Sequence, residues 1–467
     1  MQITLNIPQW LMILVPTLSL ALLLLIFLVP ILFAKPILRI IIGKIIAKAV
    51  KRLLSDKYPQ NIAELWSSLN RFSVLNLIET GLRAENGKGI TRPLGSPKHF
   101  LGFENLMFSP NLMTKLSLHE SIKVDMQVTI GPNAAKPLTL GIPLMIASMA
   151  YGLALSEEAK RALARAAKTL QTTTGSGEGP FLPEERADAG KYVLQICRWQ
   201  WGARTDEQIS LADMLEVQMG QGADMGSALF EASELQGRAQ VLAGLAPGQS
   251  PASYPAPPGV QSPEDWPSFM ASLRQRANGI PIALKLMATG HLEDDLAVAV
   301  DLGFDAVILD GAQGGSHAAP PIKEDDFGIP SLNALVRAVR YLKNTQLSLI
   351  VAGGYFTPGQ CLKALALGAD AVYLGTVPLF ALVHSQIDKA IPWEPPATLI
   401  FYDSPIKTQL NINQAATNVA NALQAMVLEM EEGIRGLGKA SLKELNSDDL
   451  VALDALTAEV TGVTRVY

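Results

Sequence analysis

The chain has 467 residues with 38 basic and 43 acidic side chains, a formal net charge of −5. Hydrophobic residues make up 49% of it and charged residues only 17%, which excludes a disordered chain, because disorder combines low hydrophobicity with high net charge. The acidic balance also argues against binding to nucleic acid. Two cysteines cannot form a disulfide framework, and none of the five histidines has an HxxH or HExxH partner, so no metal site is expected.

The N-terminal region has the composition of a membrane anchor. Residues 1–34 contain no charged residue, and residues 10–33 are almost wholly apolar. About 20 such residues span a bilayer as a helix, and prolines such as Pro16 and Pro30 are tolerated in spans. The sequence therefore predicts a transmembrane anchor over residues 1–34. A cleaved signal peptide is the alternative, but it usually has a basic start and a shorter apolar core.

A basic segment follows over residues 35–57, with seven basic residues and Asp56 as the one acidic residue. Under the positive-inside rule, this predicts a single-pass membrane protein whose C-terminal domain is cytoplasmic. The spacing of the cations predicts a juxtamembrane helix that binds anionic membrane lipid. A solvated start of the next domain is the alternative. Residues 58–135 are interpreted as an approach segment.

From Ile142 onward, short apolar runs alternate with amphipathic stretches, and we assign residues 136–400 to one domain. Strands are predicted at residues 144–147, 215–219, 282–286, 306–310, 347–352 and 371–374. Helices are predicted from Ser156 and at residues 293–302, 332–342, 358–367 and 416–434. This alternation predicts a parallel sheet covered on both faces. A (β/α)8 TIM barrel is favoured, an open doubly wound sheet is the alternative, and a helical extension is expected over 401–467.

Glycines end the last two predicted strands. Gly353 and Gly354 follow one strand, and Gly375 and Thr376 end the next. Glycine lets backbone amides approach a phosphate closely, and the loops after strands seven and eight are the usual phosphate site of a barrel. The sequence therefore predicts phosphate binding there, with ordinary turn glycines as the alternative.

Other residues carry possible chemistry. Lys285 lies in an apolar strand, where an unpaired charge is costly; it would neutralise an anionic flavin or a carboxylate, unless it snorkels from a strand end. Asp310 opens a glycine loop that contains His317, the histidine nearest the proposed chemistry. Residues 174–179 form a polar turn whose Glu178 either meets substrate or belongs to a plain loop.

Several motifs, in this order along the chain, carry a family resemblance. They read IPLMIASMAYGLALSEEAK, TGSGEGPFLPEER, EVQMGQGADMG, ALKLMATGHLEDDL, LDGAQGGSHAAP and VAGGYFTPGQCLKALALGADAVYLGT. The chain resembles the FMN-binding synthase domain of glutamate synthase, specifically its stand-alone, membrane-anchored members. The resemblance implies a (β/α)8 barrel that holds FMN and reduces 2-iminoglutarate, made from 2-oxoglutarate and ammonia, to glutamate. A partner protein would supply the electrons, because no dinucleotide-binding fingerprint is evident.

The resemblance also implies roles for individual residues, with Lys285 and Glu178 as the catalytic pair. The cofactor-binding residues would be Ser148, Met149, Lys285, Asp310, Gly314, Gly315, Gly353, Gly354, Gly375 and Thr376. The resemblance places Gln221 and Glu178 at the small-molecule substrate. His317 is added to them for its place in the glycine loop, although relatives have a Gly at that position.

The chain also departs from the family pattern. Val377 to Ile391 contains no cysteine where relatives bind an iron–sulfur cluster, so none is expected. Gln218 and Asp224 stand where relatives usually have lysines, which weakens the case for a dicarboxylate substrate. An FMN oxidoreductase with another substrate, or a catalytically degenerate membrane-tethered barrel, are therefore the alternatives.

Overall fold

The computed structural model describes residues 8–61, 64–199, 203–226, 228–316 and 319–467. The chain divides into two compact units, one ending at Ile90 and the other beginning at Thr91. His317 lies outside the described residues.

The first unit contains three described α-helices: α1 Gln9–Ser55, α2 Glu64–Arg71 and α3 Val74–Asn86. Residues 9–34 of the predicted anchor and residues 35–55 of the predicted basic segment belong to one helix, α1. Ser73 begins α3 by accepting a hydrogen bond from the backbone N–H of Asn76, and Gly87 ends it with a φ of +61°.

The predicted transmembrane anchor is wrong, and so is the single-pass, cytoplasm-facing localisation. A crossing needs about 20 consecutive apolar residues in one helix. No helix combines that length with that apolar character over the part of the chain that the structure describes. The part of α1 beyond the predicted anchor carries the basic side chains Arg39, Lys44, Lys48, Lys51 and Arg52. The membrane-anchored type of the family resemblance is therefore not supported.

The second unit is built from short strands and the helices between them. Its described strands are β1 Leu106–Phe108, β2 Val128–Ile130, β3 Leu138–Leu140, β4 Leu144–Ile146, β5 Thr173–Gly175, β6 Lys191–Ile196, β7 Met214–Gln218, β8 Ala228–Leu229, β9 Ala252–Ser253, β10 Ile282–Met287, β11 Ala306–Asp310, β12 Ser348–Ala352, β13 Ala371–Leu374 and β14 Leu450–Ala452. Its described α-helices are α4 Glu157–Thr169, α5 Pro183–Asp188, α6 Asp206–Ser210, α7 Gly237–Ala243, α8 Trp266–Ala277, α9 Leu292–Asp301, α10 Pro321–Asp325, α11 Ser331–Leu342, α12 Pro358–Ala366, α13 Thr376–Val383, α14 Ile412–Gly436 and α15 Ala455–Thr461.

Eight of these strands form one parallel sheet in the order β4-β13-β12-β11-β10-β7-β6-β5. The strands thus follow one another around a ring in chain order. The last strand in this order, β5, lies beside the first, β4, and Thr172 Oγ1 there donates to the carbonyl oxygen of Leu144 at 2.7 Å. An open doubly wound sheet would instead reverse its strand order midway. The predicted TIM barrel is therefore confirmed as a nearly closed eight-stranded barrel.

The core explains why most strands were predictable. β10, β11, β12 and β13 are buried along their whole length, as expected for barrel strands covered by helices. β11 and β13 have the predicted bounds. β5 and β6 were not predicted as strands, and residues 174–175, interpreted as part of a polar turn, belong to β5. Its three residues are too few and too polar to show an apolar run.

The C-terminal residues pack on the barrel. α14 begins at Asn411, whose side chain accepts from the backbone N–H of Gln414, and its apolar face is buried. Outside the barrel sheet, β1 pairs with β14 and β2 pairs with β3, both antiparallel. The first pair connects the C-terminal residues to the segment before the barrel. The helical extension predicted over 401–467 therefore contains α14 and α15, although the domain boundaries themselves stay predictions.

Candidate active site at the carboxyl ends of the barrel strands

A cavity of about 500 Å³ opens where the barrel strands end, a volume in the usual range for sites that hold small ligands. Twelve of the residues proposed from the sequence line this one cavity: Ser148, Met149, Glu178, Gln221, Lys285, Asp310, Gly314, Gly315, Gly353, Gly354, Gly375 and Thr376. They come from seven strand ends, so the barrel brings together side chains that are far apart in the sequence. Their individual roles stay predictions.

The end of the cavity beside β12 and β13 is shaped by glycine. Gly353 and Gly354 have φ angles of +94° and +79°. A Cβ at Gly353 would lie 2.7 Å from Asp310 Oδ1, and one at Gly354 would lie 2.6 Å from Gln313 Cβ, so only glycine fits here. Gly375 differs, because a Cβ there would meet no atom within 4 Å. It precedes the first turn of α13, whose free backbone N–H groups suit an anion.

Lys285 lies inside the barrel on β10 and does not snorkel. Its side chain is only 3% exposed, and Nζ lies 3.7 Å from Oε1 of Glu216 on the neighbouring strand β7. The lysine therefore carries its charge into the cavity wall with a carboxylate partner, as a buried cation requires.

Glu216 is a buried residue behind the cavity that the sequence analysis missed. It is fully buried, and its Oε2 accepts from Ser148 Oγ at 3.1 Å and Tyr373 Oη at 2.9 Å, while Oε1 accepts from Gln195 Nε2 at 2.6 Å. Burial and the Glu216 charge raise the pKa of Tyr373 well above its usual value, which keeps it a donor. The available signal was a glutamate inside an otherwise apolar strand.

Asp310 ends β11 against the glycine loops. Burial raises its pKa to about 6, although Lys285 and the backbone N–H of Gly222 act in the opposite direction. Its Oδ1 is buried and has no hydrogen-bond partner among the described residues. A buried oxygen of this kind is available to a water, an ion or a ligand in the cavity.

Glu178 is not a free carboxylate. Arg198, which is 1% exposed, donates to it from Nε at 3.0 Å and from Nη2 at 2.8 Å. The same Nη2 lies 2.8 Å from Oδ2 of Asp224. One buried guanidinium thus holds two carboxylates of the cavity wall, and these partners raise the pKa of Arg198. Arg198 was also missed, because its neighbours in sequence give no sign of this pairing.

Gln218 and Gln221 lie beside this cluster at the end of β7. Gln218 is 1% exposed, and its Oε1 is buried without a hydrogen-bond partner among the described residues. Its Nε2 lies 3.5 Å from Gln221 Oε1, a long contact. The backbones of Gln221 and Asp224 bond each other at 2.9 and 3.0 Å and fix a tight turn.

The described residues contain no group of three or more His, Cys, Asp or Glu side chains able to hold a metal ion. Cys197 and Cys361 are both buried. The expected absence of an iron–sulfur cluster stays a prediction.

Comparison with known proteins identifies this barrel as a glutamate synthase-like oxidoreductase. The chain belongs to the glutamate synthase family, since the family model described as the conserved region in glutamate synthase matches residues 100–440. A glutamate synthase large subunit-like protein of Rhizobium meliloti (strain 1021) is 30% identical over 419 residues, covering 85% of this chain and 93% of the relative. The archaeal-type glutamate synthase [NADPH] of Thermotoga sp. (strain RQ2) is 26% identical, covering 82% and 79%. Among solved structures, a mandelate oxidase mutant with an FMN adduct aligns with a TM-score of 0.47 and 18% identity, covering 74% and 88%.

Proposed function

We propose that this protein is an FMN-dependent oxidoreductase that transfers two electrons between the flavin and a carbon–nitrogen bond, as its family implies. The observation that carries the proposal is the pairing of two features in one cavity. A glycine-lined helix start at β12 and β13 suits a phosphate, and the buried cation Lys285 suits the electron-rich ring.

The residues present fit FMN at the phosphate end. Gly353, Gly354, Gly375 and Thr376 would hold the phosphate through backbone N–H groups. The open space beside Gly375 is a cradle that any side chain would fill. The helix dipole and the unpaired backbone amides at the start of α13 favour the negative charge of the phosphate.

The flavin ring would lie across the barrel mouth. Ser148 and Met149 would line it from the end of β4, with Gly314 and Gly315 at its edge and Asp310 offering its unpaired oxygen. FMN supplies the two-electron acceptor and donor chemistry when bound. The ammonium of Lys285 would stabilise negative charge that develops on the ring, and Glu216 holds that ammonium in place.

The substrate would enter from the side of β5 and β7. Gln221 and Glu178 would face it, and His317 is proposed there from the sequence alone. Arg198 donates to both oxygens of Glu178. We therefore assign Glu178 a positioning role, in which its fixed carboxylate orients the substrate in the cavity. The family reaction, reductive formation of glutamate from 2-oxoglutarate and ammonia, is the reference against which this chain is tested.

The electrons would come from another protein. No Gly-x-Gly-x-x-Gly fingerprint follows a strand in the sequence, so a nicotinamide cofactor has no recognised site of the usual kind. We therefore propose a protein electron donor that reduces the flavin at the cavity.

The test is the absorption spectrum of the full chain, purified without added cofactor. A flavin spectrum that bleaches with dithionite is the expected result. A folded protein that stays colourless and takes up no added FMN would favour the degenerate barrel instead. The reduced protein is then mixed with 2-oxoglutarate and ammonium, and reoxidation with formation of glutamate would identify the family reaction.

A further inference from the structure

The wall of the cavity on the β5 and β7 side is acidic. Glu178 and Asp224 line it at the ends of β5 and β7. Glu234, Asp310 and Asp403 also line the cavity, whereas Lys285 is the one Lys, Arg or His among the described lining residues. Arg198 stands behind the wall and balances one of the two carboxylates that it contacts. Glu234 and Asp403 form no ion pair with any residue that the structure describes. The surplus charge of this wall is therefore negative.

A second, independent feature is a buried hydrogen-bond acceptor that a donor on the ligand would satisfy. Gln218 is almost fully buried and lines the cavity, yet its carbonyl oxygen Oε1 has no partner among the described residues. A buried acceptor left unpaired is unfavourable. A ligand N–H group would satisfy it, whereas a carboxylate has no proton to donate.

Asp224 offers a further acceptor next to Gln218. Arg198 contacts only its Oδ2, so Oδ1 is left for a ligand. The side chain is 25% exposed at the cavity surface, and the turn formed with Gln221 holds it there. The end of β7 thus offers two acceptors to a ligand, Gln218 Oε1 and Asp224 Oδ1.

Aromatic side chains complete this wall. Trp199 and Phe230 line the cavity with ring centroids 5.3 Å apart. The faces of aromatic rings attract cations. In the ring of strands, β7 lies four places from β13 in either direction, so this wall is opposite the phosphate end.

From these observations we propose that the cavity of this protein selects a substrate with a protonated amine at the β7 side, and not the dicarboxylate 2-oxoglutarate. The inference rests on the proposed function, because it names the substrate class of the same site. Gln218 and Asp224 determine the specificity. They accept hydrogen bonds from the ammonium group, while the acidic wall repels a dianion.

The experiment compares two probes of the same length and opposite charge, pentane-1,5-diamine and glutarate, together with 2-oxoglutarate. Binding to the full chain is measured by calorimetry, with and without FMN. We expect the diamine to bind at least tenfold more tightly than either dianion, with an affinity that falls as salt is added. Tighter binding of glutarate or 2-oxoglutarate, or no binding of the diamine, would overturn the inference.

Matched variants locate the effect. Asp224→Asn removes one charge with little change of shape and is expected to weaken diamine binding about fivefold or more. The double variant Gln218→Lys with Asp224→Lys is expected to reverse the preference toward 2-oxoglutarate. Asp388→Asn, an exposed acid outside the cavity, is the control and should leave diamine binding unchanged. Glu234→Gln replaces Asp224→Asn if that variant does not fold.

The two proposals fail separately. A chain that binds the diamine but never binds FMN contradicts the proposed function and leaves the charge preference intact. A chain that binds FMN and prefers 2-oxoglutarate contradicts the charge preference and leaves the flavin function intact.

Discussion

Arg198 donates two hydrogen bonds to Glu178, from Nε to Oε1 at 3.0 Å and from Nη2 to Oε2 at 2.8 Å. The guanidinium is 1% exposed, so water cannot replace it. Arg198→Leu would leave the carboxylates of Glu178 and Asp224 without their partner. We expect the free energy of unfolding to fall by about 3–5 kcal/mol, as when one member of a buried ion pair is removed. Urea unfolding of the variant measures it.

Arg238 provides a matched control for that prediction. It also contacts two carboxylates, Glu157 and Glu184, each at 2.5 Å, but its side chain is 45% exposed. Exposed ion pairs contribute about 0–1 kcal/mol, so Arg238→Leu should change the free energy of unfolding by no more than that. Equal losses in the two variants would mean that burial does not set the strength of the Arg198 cluster.

The second prediction concerns the phosphate end. Because a Cβ at Gly375 meets no protein atom within 4 Å and its φ of −100° suits any residue, substitutions there should fold normally. Gly375→Asp places a carboxylate where the phosphate is expected and should lower FMN content at least tenfold. Gly375→Ala is the control for size and should retain more flavin than the aspartate variant. Full FMN content in Gly375→Asp would remove the phosphate assignment.

The third prediction concerns Lys285. Lys285→Met removes the cation expected to stabilise the reduced ring, so FMN should stay bound while its midpoint potential becomes more negative by on the order of tens of millivolts; about 30 mV corresponds to 1.4 kcal/mol for two electrons. A spectroelectrochemical titration measures the potential. Adding Glu216→Gln neutralises the carboxylate left behind and should recover part of the shift. Lys363→Met, outside the cavity, is the control, and an unchanged potential in Lys285→Met would make Lys285 merely structural.

The sequence was informative where one strand or loop contained its own signal. The apolar runs of β11 and β13 gave their bounds, and the glycines after β12 and β13 pointed to the phosphate end. It failed where the signal depends on neighbours across the barrel. The role of Glu216 depends on its hydrogen bonds with Gln195 on β6, Tyr373 on β13 and Ser148 in the loop after β4.

The same limit applies to Asp224 and to the N-terminal helix. Asp224 was interpreted as an added negative charge, and the contact with Arg198 that offsets part of it depends on the fold. The anchor was inferred from the apolar run over residues 10–33, the uncharged start and the basic residues that follow, whereas α1 continues without a break to Ser55. Periodicity and composition describe one segment at a time. Ion pairs between distant residues and the length of a helix depend on the rest of the chain.

The last prediction uses the raised pKa of Asp310, which burial brings from 3.8 to about 6. Between these two values the folded protein holds a proton that the unfolded chain releases. The free energy of unfolding should therefore fall as pH rises through this window, with the full loss, on the order of 3 kcal/mol, reached by pH 7.

Asp310→Asn tests this because the amide resembles the protonated acid and never ionises. In the apoprotein the variant should gain stability over the wild type at pH 7 and little or none at pH 4. Urea unfolding at the two pH values gives the difference directly. Asp388→Asn controls for the loss of one acidic residue at the surface. A difference between Asp310→Asn and wild type that is equal at pH 4 and pH 7 would show that the carboxyl of Asp310 ionises in the folded protein as readily as in the unfolded chain.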